Sequence, residues 1–269
     1  MMYDNFQSMR AEVYDQFKRH AKLIKPAKWQ GISTEGKPDL ATYELLNHST
    51  TLRLHSELLS PYRADIKPDL PWCDDHFTER VCGYPLNPGI QWSKWRMGDG
   101  ADKFRLPDGT FNHNYMERLW PKYARQGPPS EYPGEIPTGF KPHRGILYEY
   151  GDLFDVVKLL AREPDTRQAY MTMWHPEDNG VVHGDRAPCS LGWHFIVREN
   201  QLHMVYYLRS VDLVNHWPND IYMAVRLLLW VLDEARELTP DWYDIKPGTL
   251  TTHVTSFHCF AGNWHQVNK

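Results

Sequence analysis

The pattern of apolar and polar positions is most regular in the second half of the chain. Over Asp152–Arg162, Leu153, Val156, Val157, Leu159 and Leu160 fall on one stripe, which predicts an amphipathic helix ended by Glu163-Pro164-Asp165. Ala169–Trp174 reads as a strand. Leu191–Val197 and Leu202–Leu208 are apolar, β-branched and aromatic runs flanking Arg198-Glu199-Asn200-Gln201, the pattern of a β-hairpin. Asn219–Leu238 carries apolar residues at helical spacing and predicts the longest helix, and Leu250–Phe260 predicts a last strand.

The first half is less regular. Residues 1 to about 70 mix short helical and extended patterns. Ser60–Gly100 is rich in Pro and Gly and predicts a loop-dominated stretch, and Gln126–Gly145, with five prolines, a surface excursion. The expectation is an α+β fold: one domain over residues 1–269, a large, mostly antiparallel sheet with packed helices, and a loop-rich region at 60–145.

Composition narrows the classes. Hydrophobic residues make up 41% of the 269, enough for a core, and a formal net charge of -4 argues against a strongly basic nucleic-acid footprint. The longest apolar run, Leu227–Leu232, is far short of the ~20 residues that span a bilayer. Met1–Lys28 has no apolar stretch ahead of a small-residue cleavage site, so a cytoplasmic protein is expected. Four scattered cysteines without a C-x-x-C pair suggest free thiols.

Three segments carry candidate chemistry. Cys189 lies in Arg186-Ala187-Pro188-Cys189-Ser190, just ahead of the hairpin, and reads either as a small buried hydrophobe or as a nucleophilic thiolate aided by Arg186 and Arg209. Arg209-Ser210-Val211-Asp212 closes the second hairpin strand and suits a phosphate, because a guanidinium fork matches phosphate oxygens. Arg167 is a candidate second phosphate ligand. His253 and His258 lack companions at metal-site spacing, so no metal is expected.

In order, these pieces resemble the thymidylate synthase family, from about Glu79 to Phe260. Asp165-Thr166-Arg167 resembles its phosphate-binding arginine segment, Pro188-Cys189 its nucleophile, and Arg209-Ser210-Val211-Asp212 with Trp217-Pro218 and Asp220 its motif for phosphate, folate and base. Ser256-Phe257-His258-Cys259-Phe260 resembles its sugar-binding strand. The resemblance implies a homodimer using 5,10-methylenetetrahydrofolate. Cys189 would add to C6 of a pyrimidine, and Arg209 and Ser210 would hold the 5′-phosphate with Arg167 of the other subunit. His258 would contact the sugar, Asp212 the pterin, Trp92 and Trp95 the folate pocket, and Tyr115 would lie near the nucleophile. Glu79 is the counterpart proposed for the glutamate that organises proton transfer.

Departures from the family pattern are informative. Phe260 stands in place of Tyr, Gln168 in place of a second Arg and Met116 in place of Gly. Asp220 stands where thymidylate-forming members carry Asn, and here the chain resembles phage deoxycytidylate hydroxymethylases. A carboxyl group accepts from the cytosine N4 amine and, when protonated, also satisfies N3; facing uracil O4 it opposes two acceptors. The expected reaction is therefore C5 hydroxymethylation of dCMP, with dCMP methylation, thymidylate synthesis on dUMP, or a non-catalytic nucleotide- or RNA-binding relative as alternatives.

Overall fold

The computed structural model describes residues 1–29, 32–87, 89–94, 104–121, 149–183 and 186–268. Its strands are β1 (Met2–Tyr3), β2 (Lys22–Ile24), β3 (Lys28–Trp29), β4 (Ile32–Ser33), β5 (Thr42–Arg53), β6 (Tyr170–Thr172), β7 (Ser190–Arg198), β8 (Gln201–Asp212) and β9 (Lys246–Phe260). Its helices are α1 (Phe6–His20), α2 (Leu59–Ile66), α3 (Trp72–Arg80), α4 (Ile90–Ser93), α5 (Tyr115–Leu119), α6 (Leu153–Arg162), α7 (Trp217–Leu238) and α8 (Trp264–Val267).

One sheet runs β1-β5-β9-β8-β7-β6, with β2 also on β5; β3 and β4 form a separate ribbon. The sheet is mostly antiparallel, as expected, but β8 and β9 pair in parallel, as do β1 and β5. The β8–β9 pairing follows from the long α7, since parallel neighbours need a crossover of this kind. The hairpin forms where the pattern placed it. Glu199 and Asn200 turn the chain with φ of +52° and +55°, the paired left-handed conformation whose twist matches that of the flanking strands.

Along β8 the even-numbered residues Leu202, Met204, Tyr206 and Leu208 are buried beneath the helices, while the intervening residues are less covered. α7 spans this inner face, burying Ile221, Val225, Leu228 and Leu232. The expected helix at Asn219 begins two residues earlier, because Trp217 inserts between Phe6 of α1 (centroids 4.9 Å apart) and Phe257 of β9 (5.2 Å).

Two expectations for the first half are corrected. Residues 1–70 hold a 15-residue helix, α1, whose buried Phe6, Met9, Val13 and Phe17 share one stripe, and a 12-residue strand, β5. The polar composition of β5 hides it from a hydrophobicity reading: its Thr50 and Thr51 hydroxyls pair with those of Thr252 and Thr251 on β9 at 2.8 and 2.9 Å. Among its described residues, the Pro/Gly-rich Ser60–Gly100 stretch is more helix than loop, since it holds most of α2 and all of α3 and α4. Its prolines fall mostly between or at the start of helices, where a missing N–H costs no helical bond.

Candidate active site

Cys189 precedes β7, where a bulge between Ser190 and Gly192 shifts the register against β8. Gly192 is needed there because a Cβ would come within 2.5 Å of the Met171 carbonyl on β6. The bulge bends the edge just after the cysteine and re-aims it. Arg209, across the hairpin, holds this segment. Its Nε donates to the Pro188 carbonyl at 2.8 Å and its Nη2 to that of Ala187 at 2.9 Å, while Nη2 lies 3.8 Å from the Cys189 sulfur. Nη1 has no acceptor among the described residues and can take an anion.

Burial raises the Cys189 thiol pKa, the nearby Asp220 carboxyl adds to this, and Arg209 and Arg186 pull it back. At this sulfur desolvation outweighs the two guanidinium charges. Tyr115, at the start of α5, accepts from the Ser190 amide at 3.2 Å and its hydroxyl at 3.0 Å, next to Cys189 in the chain. Ser190 Oγ also bonds the Tyr206 hydroxyl. A buried ion pair anchors α5: Arg118 Nη2 donates to Asp178 Oδ1 at 2.8 Å, both side chains being at most 3% exposed.

Ser210 and His258 meet across β8 and β9, with Ser210 Oγ 3.3 Å from His258 Nδ1. Burial lowers the His258 pKa. His253, five residues away along β9, stacks on Tyr207 with ring centroids 5.5 Å apart. Arg167 is exposed; its carbonyl lies 3.0 Å from His194 Nε2 of β7, and its guanidinium makes no hydrogen bond or ion pair with a described residue.

Two neighbouring aspartates have contrasting surroundings. Asp212 caps the turn into α7: Oδ1 accepts from the Val214 and Asn215 amides at 3.0 and 3.1 Å and Oδ2 from Asn215 Nδ2 at 2.7 Å. Asp220, in the first turn of α7, makes no side-chain hydrogen bond or ion pair with any described residue. Burial pushes its pKa up to about 7, with Arg80 opposing and Asp212 adding. It lines a cavity with Phe77, Arg80, Trp193, Tyr206 and Met223.

Glu79, the residue matched to the family's proton-transfer glutamate, lies on α3 with its carboxylate held by its neighbours. Its Oε1 accepts from the Gln91 amide at 2.9 Å and its Oε2 lies 3.2 Å from His76 Nδ1. Gly89 packs against it so closely that a Cβ would fall 2.3 Å from its carboxylate oxygen. The α3 residue that faces Asp220 and Tyr115 is the next one, Arg80, whose guanidinium carbon sits 4.6 Å from the Tyr115 ring centroid. Trp92 lies on α4, but its side chain, and all of Trp95, fall outside the described residues. All four cysteines are free, and no helix among the described residues is long and apolar enough to cross a membrane.

Comparison with known proteins bears on this constellation. Proteins named "Putative thymidylate synthase" in Methanococcoides burtonii and Methanosarcina barkeri are similar: 28% identical over 60% of this chain and 69% of the first, and 29% over 42% of this chain and 48% of the second. The "Thymidylate synthase" of Rhizorhabdus wittichii is 24% identical over 66% of this chain and 58% of its own. The chain thus spans about half to two thirds of these relatives' lengths. The family model described as Thymidylate synthase matches residues 89–269, which include Cys189, Arg209, Asp220 and His258, and on that match the chain belongs to the thymidylate synthase family.

Proposed function

We propose that the protein transfers a one-carbon unit from 5,10-methylenetetrahydrofolate to C5 of dCMP and, with water, releases 5-hydroxymethyl-dCMP and tetrahydrofolate. The observation that carries the choice of base is Asp220, a carboxyl group lining a cavity with no hydrogen-bond partner among the described residues. An acceptor in that position suits the cytosine N4 amine. In its ionised form, against uracil O4, it would leave two acceptors opposed, at a cost of about 1–3 kcal/mol.

Each residue then has a task. Cys189 passes its proton to water as its sulfur bonds to C6, and the electron pair of the C5–C6 double bond moves to C5, which becomes a carbon nucleophile; Arg209, 3.8 Å from the sulfur, stabilises the developing thiolate. The unpaired Nη1 of Arg209 and the Ser210 hydroxyl receive the 5′-phosphate. His258, beside Ser210, meets the sugar. Tyr115 fixes Ser190 and the mouth of the nucleophile segment. When bound, the folate supplies a carbon at the oxidation level of formaldehyde. Asp212 fits a role in holding it, since Oδ2 carries a single donor and keeps room for a pterin N–H.

The sheet's outer face carries Tyr207 stacked on His253, exposed Tyr170 beside His194, and exposed Leu46. A homodimer formed through this face would place each exposed Arg167 near the partner's phosphate site. One assay tests the reading: purified protein incubated with dCMP or dUMP and methylenetetrahydrofolate, with products read by mass spectrometry. The expected product is a cytosine nucleotide heavier by one CH₂O unit; a gain of CH₂ would mean methylation, and turnover of dUMP alone would end the cytosine reading.

A further inference from the structure

Arg80, one residue beyond the glutamate that the sequence singled out, is held by a hydrogen-bond chain along one face of α3. His76 is buried, stacked on Trp72 with ring centroids 5.0 Å apart, and its Nε2 accepts from Arg80 Nε at 3.0 Å. With Nε2 accepting, the single ring proton sits on Nδ1, 3.2 Å from Glu79 Oε2, to which it donates. Burial and the Arg80 charge lower the His76 pKa to about 4, so the ring is neutral and this tautomer holds at neutral pH. Glu79 is itself fixed by the Gln91 amide. Glu79, His76 and the Nε of Arg80 thus form a continuous hydrogen-bonded chain.

The far end of this hydrogen-bonded chain is open. The terminal nitrogens of Arg80 have no acceptor among the described residues, although the guanidinium lies over Tyr115 and lines the same cavity as Asp220. Arg80 and Asp220 do not form an ion pair. A guanidinium fork and a carboxyl group, each unsatisfied and separated within a largely apolar cavity, match a flat ligand edge that offers one donor beside two acceptors. The cytosine edge is of that kind, with the N4 amine, N3 and O2 in a row.

We infer that Arg80 is a second base-recognition residue, with its terminal N–H groups directed to N3 and O2 of the ring whose N4 amine Asp220 accepts, and that His76 is the residue that positions it. This rests on the reading of the cavity as the pyrimidine site. Uracil, protonated at N3, would set a donor against the Arg80 donors, so both residues discriminate in the same sense.

The groups around Asp220 are Arg80 and Cys73 on α3, Tyr115 on α5, Tyr206 and Asp212 on β8, and Cys189 ahead of β7. Arg80 is the cation among those acting on Asp220, and it opposes the rise caused by burial. Removing its charge should therefore raise the Asp220 pKa.

The test uses the full chain and two readouts. In ligand-free protein labelled with carboxyl-¹³C aspartate, the Asp220 signal, assigned by its loss in Asp220→Asn, should titrate about one pH unit higher in Arg80→Met and stay near its wild-type midpoint in Arg80→Lys. By calorimetry, Arg80→Met should lose about tenfold or more in dCMP affinity and little in dUMP affinity. His76→Phe should reproduce part of that loss and His76→Asn less of it, since the amide restores an acceptor. An unchanged Asp220 midpoint together with unchanged dCMP affinity in Arg80→Met would overturn the inference. Failure of the wild type to bind dCMP would instead sink the base-site reading. Should Arg80→Met not fold, Arg80→Lys and the His76 variants carry the affinity test, and equal dCMP binding in all three would refute the role.

Discussion

The site joins two regions built on different principles. β7, β8, α7 and β9 form one unit in which backbone ladders and a long apolar helix place Cys189, Arg209, Ser210, Asp220 and His258. The opposite wall, α3 to α5, consists of short helices held by side-chain bonds: Arg118 to Asp178, Trp72 Nε1 to the Gln91 carbonyl at 2.8 Å, and Glu79 to the Gln91 amide. In the first region, repetition distributes the load over many equivalent bonds. In the second, single polar contacts carry it, so single substitutions should do more structural harm there and more chemical harm in the sheet.

The largest chemical effect expected is at Cys189. Cys189→Ser should lower turnover on the order of 10⁴-fold, because a hydroxyl is a far weaker nucleophile, while nucleotide binding by calorimetry stays near wild type. Retained turnover would remove the sulfur from the mechanism. The largest structural effect belongs to the helical wall. Asp178→Ala strands the buried Arg118 charge and should cost about 3–5 kcal/mol in urea unfolding. A loss under about 1 kcal/mol would show that the wall does not depend on this pair.

Asp220→Asn sits on the border of the two regions. It should move the dCMP-to-dUMP ratio of kcat/KM toward dUMP by about 5- to 150-fold, the equivalent of 1–3 kcal/mol. It also has a pH signature. A carboxyl group with a pKa of about 7 in the fold, against 3.8 otherwise, binds more protons folded than unfolded, so stability falls as pH rises between those values and levels off above. The stability advantage of Asn over Asp should therefore grow from pH 4 to pH 7, and a flat difference would contradict the buried, unpaired carboxyl. The smallest effect lies in the hairpin turn. Glu199→Asn relieves a left-handed φ of +52° and should stabilise by about 0.5–1 kcal/mol without altering activity.

Legibility followed the same division. The hairpin, α6, α7 and β9 could be read because an apolar period of two or 3.6 announces which face is buried. α1 carries such a stripe at residues 6, 9, 13 and 17 but was read only as mixed, its polar face being densely charged. β5 gave no period to read, since its threonines are satisfied by hydroxyl pairing with β9. The short helices α3 and α4 lie among prolines that suggest loop, and their pairing depends on contacts that no local window contains.

The chain's own order of residues was enough to point to the family, which the family match then showed, and to single out Cys189, Arg209 and the acidic residue at 220 as candidates. These are local patterns, and local chemistry is written residue by residue. Only the folded molecule decided that Glu79 meets Gln91 and His76 while Arg80 lines a cavity with Asp220, that Asp212 caps its own turn, and that burial raises the Cys189 pKa. Direction, neighbours and desolvation are properties of three-dimensional packing, and two adjacent residues on one helix point about 100° apart whatever their sequence suggests.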